Sequence, residues 1–320
     1  MQPNGAQSMR GPMSTALSTS GAEQSSLFVS DLIQLTKPNI TLMSTIVAGG
    51  SMGIAVSTGA RVAWFDGILA LMGIALSVVG ASAFNMWLEK DTDGLMSRTK
   101  NRPFPAGRLQ AGWGIFVGAL ASVGSLLLLS YFANALTTAC MLLAMFSYVL
   151  VYTPMKRWSS WSVVIGSIPG AMPALMGYTA LSGTLDWVGL TLFGIVFFWQ
   201  IPHSLAITIY RQSEYTNAGF VVASTEYGHP MTKAGMLLFS LLTGAVAMMI
   251  WYLGVADGLY AVVAGLLSVW LFIECLRGLP TTTPAAKWAR RVFLCTLVYQ
   301  FLLFSALGID VLLGQSSSFF

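Results

Sequence analysis

Asn85, Glu89 and Asp93 stand at spacings of four in the stretch Asn85-Met-Trp-Leu-Glu89-Lys-Asp91-Thr-Asp93-Gly-Leu-Met96-Ser-Arg98-Thr99-Lys-Asn-Arg102-Pro103. On a helix, residues at i, i+4 and i+8 share one face, so two carboxylates and an amide would point the same way. Such a face offers oxygen donors only. That donor set suits a hard cation such as Mg²⁺, which commonly travels with a diphosphate. Arg98 and Arg102 follow directly, and guanidinium forks match phosphate oxygens bidentately. A carboxylate–cation site beside two arginines would therefore grip both ends of a diphosphate. Asp91 falls on the other side of the helix and reads as a solvated residue.

Further along, Tyr152-Thr-Pro-Met-Lys156-Arg157 adds two cations that become diphosphate ligands if the anion binds nearby. Gln200-Ile-Pro202-His203 places a histidine inside an apolar run, where polar groups mark pathways or sites. Arg211 and Glu214-Tyr215 come just after that run. If their segment faces the first motif, Glu214 supplies a carboxylate opposite Asp93 for a second cation. His229, between Gly228 and Pro230, reads as loop.

These residues must be held by elements that live in lipid. Only 9% of the 320 residues are charged, 55% are hydrophobic, and mean hydropathy is +0.72. A soluble domain carries about a quarter charged residues. Apolar stretches of about 20 residues, broken by Gly, Pro or charge, predict transmembrane helices. Nine are expected, at 39–58, 66–88, 112–132, 134–153, 161–181, 187–209, 234–253, 257–276 and 291–313. Pro169, Pro173 and Pro202 fall inside the fifth and sixth, where neighbouring helices can re-satisfy the backbone.

Of the 16 Lys and Arg residues, all except Arg61 fall in the N-terminal tail or on the same side as the loop after the second helix. The positive-inside rule makes that side cytoplasmic and, with nine spans, puts the C-terminus on the opposite side. The net charge of +4 is this bias and implies no nucleic acid. Cys140, Cys275 and Cys295 lack paired spacing and read as small buried hydrophobes. Residues 1–30, rich in Ser, Gly, Gln and Ala and without an apolar signal core, read as a disordered cytoplasmic tail. Residues 31–320 read as a single transmembrane domain. The fold class is all-α: a polytopic membrane protein whose helices surround a central cavity opening to the cytoplasmic side.

At these residues the chain resembles the intramembrane aromatic prenyltransferase (UbiA-type) superfamily, and within it the haem farnesyltransferase branch. The first motif is similar to N-x-x-x-D/E-x-x-x-D-x-x-M-x-R-T-x-x-R-P, through Asn85, Glu89, Asp93, Met96, Arg98, Thr99, Arg102 and Pro103. Tyr152-Thr153 with Lys156-Arg157, Gly166-Ser-Ile-Pro169-Gly170-Ala171-Met-Pro173, and Trp199-Gln200-Ile-Pro202-His203 followed by Arg211 and Glu214-Tyr215 continue it in order. Two features depart from the pattern. Glu stands for the commoner Asp at 89 and 214, and Ala218-Gly-Phe-Val-Val-Ala-Ser-Thr replaces the usual segment after Tyr215.

The resemblance implies farnesyl transfer from farnesyl diphosphate to a vinyl group of haem b, with Mg²⁺ as cofactor and haem O as product. It implies Asn85, Glu89, Asp93 and His203 as catalytic residues and Asn85, Glu89, Asp93 and Glu214 as metal ligands. Arg98, Arg102, Lys156, Arg157 and Arg211 would hold the diphosphate. His203 would contact haem or its iron, or handle a proton. The expected setting is a bacterial inner membrane, with a haem A synthase or oxidase assembly factor as partner. Competing readings are a prenyltransferase with another aromatic acceptor, a weakened haem-handling paralogue, and a transporter. The last is disfavoured because charge clusters at one face rather than along a path.

Overall fold

The computed structural model describes residues 21–61, 63–280 and 285–317, with side chains from Ser26 to Gly314. In chain order its helices are α1 (Gly21–Leu35), α2 (Pro38–Ser57), α3 (Trp64–Asp93), α4 (Gly112–Phe132) and α5 (Ala135–Phe146). A π-helical segment (Ser147–Tyr152) leads into α6 (Thr153–Met155), then α7 (Ser162–Ser182) and α8 (Trp187–Tyr210). Short α9 (Gln212–Asn217) and α10 (Ala223–Glu226) precede α11 (Gly228–Tyr252), α12 (Gly258–Leu276) and α13 (Ala285–Ser317).

Among the described residues nine stretches are long and apolar enough to cross a membrane, with α5 to α6 counted as one and α1, α9 and α10 too short. This is a multi-pass, all-helical membrane protein. The spans form a ring that α13 closes against α2, with α7 and α8 at its centre. Those two bury 61% and 56% of their apolar windows; no other span exceeds 44%. Outside, large apolar side chains such as Leu120, Leu266 and Phe301 are exposed, as a lipid-facing surface requires. Exposed Trp64, Tyr131, Trp187 and Tyr252 mark one rim and Trp158, Trp161 and Tyr227 the other, the aromatic belts of a membrane slab.

Three boundaries differ from expectation. The second span does not stop where charges begin but runs on through Asp93, because cations from elsewhere neutralise its acids. The seventh starts at Gly228, not 234, and takes in Lys233, which is buried with its ammonium 5.5 Å over the Trp288 ring. The ninth begins at Ala285 rather than 291. Of the tail expected over 1–30, residues 1–20 lie outside the described residues. Residues 21–30 are helical and belong to α1. Helix α1 is tied down by Leu35 against Ala83 and Met86, by Phe28 edge-on to Trp113 (5.2 Å), and by Asp31 bound to Arg108 at 2.9 Å.

Local chemistry explains the ends on the far rim. Asn134 caps α5, accepting from Thr137 N at 2.9 Å, and donates to Thr179 O on α7 at 2.7 Å. Asp186 caps α8 by accepting from Val188 N and Gly189 N and accepts from Tyr178 Oη at 2.8 Å. The three cysteines are buried and free.

Two glycines of α7 face tight surroundings at the centre. A β-carbon on Gly177 would stand 2.1 Å from the Ala48 carbonyl oxygen, so only hydrogen lets α2 and α7 approach this closely. A β-carbon on Gly170 would meet the Gln200 amide of α8 at 2.2 Å. Between α2, α3, α7, α8 and the π segment lies a cavity of about 400 Å³.

Candidate active site

Helix α3 carries Asn85, Glu89 and Asp93 on one face, as their spacing requires, and all three are buried in the cavity wall. Burying two carboxylates in apolar surroundings is costly unless each is paired. The pairing comes from three separate chain segments. Lys37, just ahead of α2, donates to Asn85 Oδ1 at 2.6 Å. Lys156, just after α6, reaches Glu89 Oε1 at 2.6 Å, and Arg102 reaches Asp93 Oδ2 at 2.6 Å. Asn85 Nδ2 donates to Thr153 Oγ1 at 3.2 Å, tying α3 to α6.

Electrostatics follow from this crowding. The Lys37 amine is pushed down to about 7 by burial and by the Arg102 charge nearby. Burial also works against the Lys156 ammonium, but the Tyr152 phenol, Glu89 and the Tyr148 phenol around it raise its pKa above the ordinary lysine value. Lys156 Nζ sits 4.2 Å over the Tyr152 ring. The wide turn of the π segment brings Tyr148 and Tyr152 together, ring centroids 5.3 Å apart, both in the cavity wall.

The polar loops close the mouth. Thr99 Oγ1 donates to Asp93 O at 2.8 Å, folding the loop after α3 back on its own helix. Met96 of that loop packs with Tyr215 of α9 and with Ala218 and Phe220 just after it, and Val221 N donates to Lys156 O at 2.9 Å. The altered segment after Tyr215 thus caps the cavity with Phe220, Val221 and Val222. Arg98 lies exposed at this mouth and has no ion pair among the described residues.

The structure brings together Asn85, Glu89, Asp93, Arg98, Arg102, Lys156 and His203 around one cavity. Arg157, Arg211 and Glu214 are outside its lining. Arg157 is exposed, and Arg211 pairs with Glu214 at 3.1 Å at the start of α9, leaving Glu214 Oε2 buried without a partner among the described residues. Sequence reasoning missed Lys37 and Tyr148, and named Tyr152 only as part of a motif. The signal for Lys37 was a lone cation set directly before Pro38 at a helix start. For the tyrosines the signal was their own spacing of four, which Lys156 continues.

The α3 face fits a hard divalent cation. Glu89 Oε2 and Asp93 Oδ1 carry no hydrogen bond among the described residues, so each carboxylate keeps one oxygen for it. No three His, Cys, Asp or Glu side chains converge on one point among the described residues. A cation here would take two carboxylates, the Asn85 amide and substrate oxygens, the usual arrangement when Mg²⁺ accompanies a phosphate.

Residues 42–304 match the UbiA prenyltransferase family. The chain belongs to that family. As a member it is a prenyltransferase. A protoheme IX farnesyltransferase from Anaeromyxobacter sp. (strain Fw109-5) is 37% identical over 92% of this chain and 98% of its own. Another protoheme IX farnesyltransferase, from Sorangium cellulosum, is 44% identical over 75% of this chain and 86% of its own. Among solved structures, one of digeranylgeranylglyceryl phosphate synthase superposes with a TM-score of 0.74 at 13% identity, covering 88% of this chain and 98% of that one. A UbiA homologue from Archaeoglobus fulgidus bound to GPP and Mg²⁺ gives 0.60 at 13% identity, covering 87% and 99%. At those identities the shared property is the UbiA fold.

Proposed function

We propose that this prenyltransferase moves a farnesyl group from farnesyl diphosphate to a vinyl carbon of haem b, giving haem O. The observation that carries the reading is near full-length kinship with protoheme IX farnesyltransferases, joined to a cavity wall that gathers carboxylates and cations in one cluster. Glu89, Asp93 and Asn85 would hold Mg²⁺. The metal when bound would offset charge on the departing diphosphate.

Lys156 and Arg102 neutralise the α3 carboxylates without ligand, Lys37 holds the Asn85 amide, and all three turn to phosphate oxygens when the diphosphate enters. Arg98 guards the mouth and draws the anion in. Arg157, Arg211 and Glu214 lie outside the cavity lining, and Arg211 and Glu214 are paired with each other, so none of the three contacts the anion there. Cations placed where charge develops on the leaving group lower the barrier without reorganising at the moment of reaction. The C1–O bond of farnesyl diphosphate breaks, and the electron pair leaves with the diphosphate. The vinyl group attacks the allylic cation, forming the C–C bond. Water adds to the resulting carbocation and loses a proton, leaving a hydroxyethylfarnesyl side chain. The apolar wall of α2 and α7 keeps stray water from the allylic cation, and Tyr148 and Tyr152 present ring faces toward positive charge.

We place the cavity mouth at the cytoplasmic face of a bacterial inner membrane, because Lys and Arg concentrate at that end. Residues 31–320 would act as one unit, with the N-terminus cytoplasmic and the C-terminus opposite. The product would pass to a haem A synthase or to haem-copper oxidase assembly. The test is acceptor choice: purified protein in lipid with farnesyl diphosphate, Mg²⁺, and haem b and 4-hydroxybenzoate in competition. A farnesylated haem supports the reading. Farnesylation of the benzoate alone overturns the acceptor and keeps the diphosphate site.

A further inference from the structure

Away from the α3 carboxylates, α8 and α13 build a second polar cluster that the diphosphate chemistry does not use. His203 lies seven residues before the end of α8, about 10 Å along its axis, and lines the cavity. Its Nδ1 lies 2.8 Å from Thr296 Oγ1 on α13. Thr296 is fully buried, and its hydroxyl lies 2.6 Å from the Phe293 carbonyl oxygen. Two oxygens that close need the hydroxyl proton between them. A threonine hydroxyl has one proton, so none remains for the imidazole. The ring nitrogen must therefore donate: His203 carries its proton on Nδ1 and keeps a lone pair on Nε2.

The ring is also held in orientation. It stacks on Trp199 at 4.9 Å and 24°, packs on Phe293 at 4.9 Å, and Trp199 Nε1 anchors to Thr296 O at 2.7 Å. Nε2 has no partner among the described residues. One turn earlier on the same face, Gln200 lines the same cavity with a buried Oε1 that also lacks a partner. Two unpartnered polar groups on one wall of a membrane cavity point to a ligand that satisfies them. A neutral imidazole whose Nδ1–H is donated to a buried oxygen, leaving Nε2 open, is the form in which histidine binds metals.

We propose that His203 Nε2 is an axial ligand to the iron of the porphyrin acceptor, and that Thr296 is the positioning residue that selects this tautomer. Ligation would fix the porphyrin by its centre, so that a vinyl group at its edge is held toward the α3 wall. The inference rests on haem b being the acceptor, and its test separates the two.

Haem b is titrated into the full-length protein in lipid without farnesyl diphosphate, and the ferrous complex is read by optical and resonance Raman spectroscopy. The wild type is expected to bind haem saturably with an iron–histidine stretching band. His203→Gly should lose the band and regain an imidazole-ligated spectrum when free imidazole is added. Thr296→Val should keep haem binding but weaken it about 10- to 100-fold and lower the band frequency, with Thr296→Ser restoring both. The Thr296 pair tests the inference even if the glycine variant misfolds. A band unchanged in His203→Gly, or identical spectra and affinity in Thr296→Val and wild type, overturns it. Haem farnesylation by a wild type that shows no iron–histidine band rejects the ligation alone. Failure to bind haem at all, with transfer to another acceptor, rejects the acceptor reading first.

Discussion

The Glu89–Lys156 pair offers the sharpest perturbation of the α3 wall. The two charges meet at 2.6 Å with side-chain exposures of 9% and 18%, so solvent screens them little. At an effective dielectric of about 20, their gross attraction is roughly 6 kcal/mol. Desolvation cancels much of that, and removing one partner from a buried pair costs about 3–5 kcal/mol because the other charge is stranded. Lys156→Met keeps the aliphatic stem and the backbone bond from Val221, so it isolates the charge. We expect Lys156→Met to destabilise by about 3 kcal/mol or more, toward the low end of that range because Lys37 and Arg102 remain near Glu89. Glu89→Gln should cost less, since the Tyr152 ring still faces the ammonium. The double variant should recover most of the loss, giving a coupling of at least about 2 kcal/mol. Reversible denaturant unfolding in mixed micelles of all four proteins measures it. A coupling below about 1 kcal/mol, the level of an exposed pair, would refute the argument that this wall is dry and mutually neutralised.

Four further outcomes follow from the same geometry. Lys37→Met removes a donor 2.6 Å from Asn85 and should weaken farnesyl diphosphate binding tenfold or more, read by calorimetry, while Lys37→Arg retains part of it. Gly177→Ala forces a β-carbon into the Ala48 carbonyl and should destabilise by about 1–3 kcal/mol in unfolding experiments. Gly170→Ala meets only the movable end of Gln200, so it should leave unfolding nearly unchanged and raise the KM for the acceptor instead. Arg108→Ala cuts the fork onto Asp31 and should speed proteolysis between residues 94 and 111 several-fold without moving the global transition.

Much of this fold was legible in the sequence because lipid leaves so few options. A spanning segment must satisfy its own backbone, so about 20 apolar residues already mean a helix, and all nine expected spans are present. The shared face of Asn85, Glu89 and Asp93 followed from helical period alone. What spacing does not encode is pairing across the chain: Lys37 and Asn85 are 48 residues apart and Lys156 and Glu89 are 67. Lys37 therefore read as an orientation charge, and the acids read as the end of their helix rather than its continuation. Neighbours in sequence also misled. Arg157 adjoins Lys156 yet points to solvent, and Glu214 turns to Arg211 three residues away rather than into the cavity. The partnership of His203 with Thr296 lies 93 residues off on another helix, and only packing reveals it.

The central claim is that the α3 carboxylates would hold a cation and, with the lysines and arginine beside them, stabilise the diphosphate leaving a farnesyl group in this cavity. The most direct measurement is mass analysis of the haem product from purified protein with haem b, farnesyl diphosphate and Mg²⁺, with and without chelator, beside Asp93→Ala. The account predicts a haem adduct of farnesyl plus water, abolished by chelation and lost by folded Asp93→Ala. An adduct formed equally well under chelation, or at wild-type rate by Asp93→Ala, would contradict it.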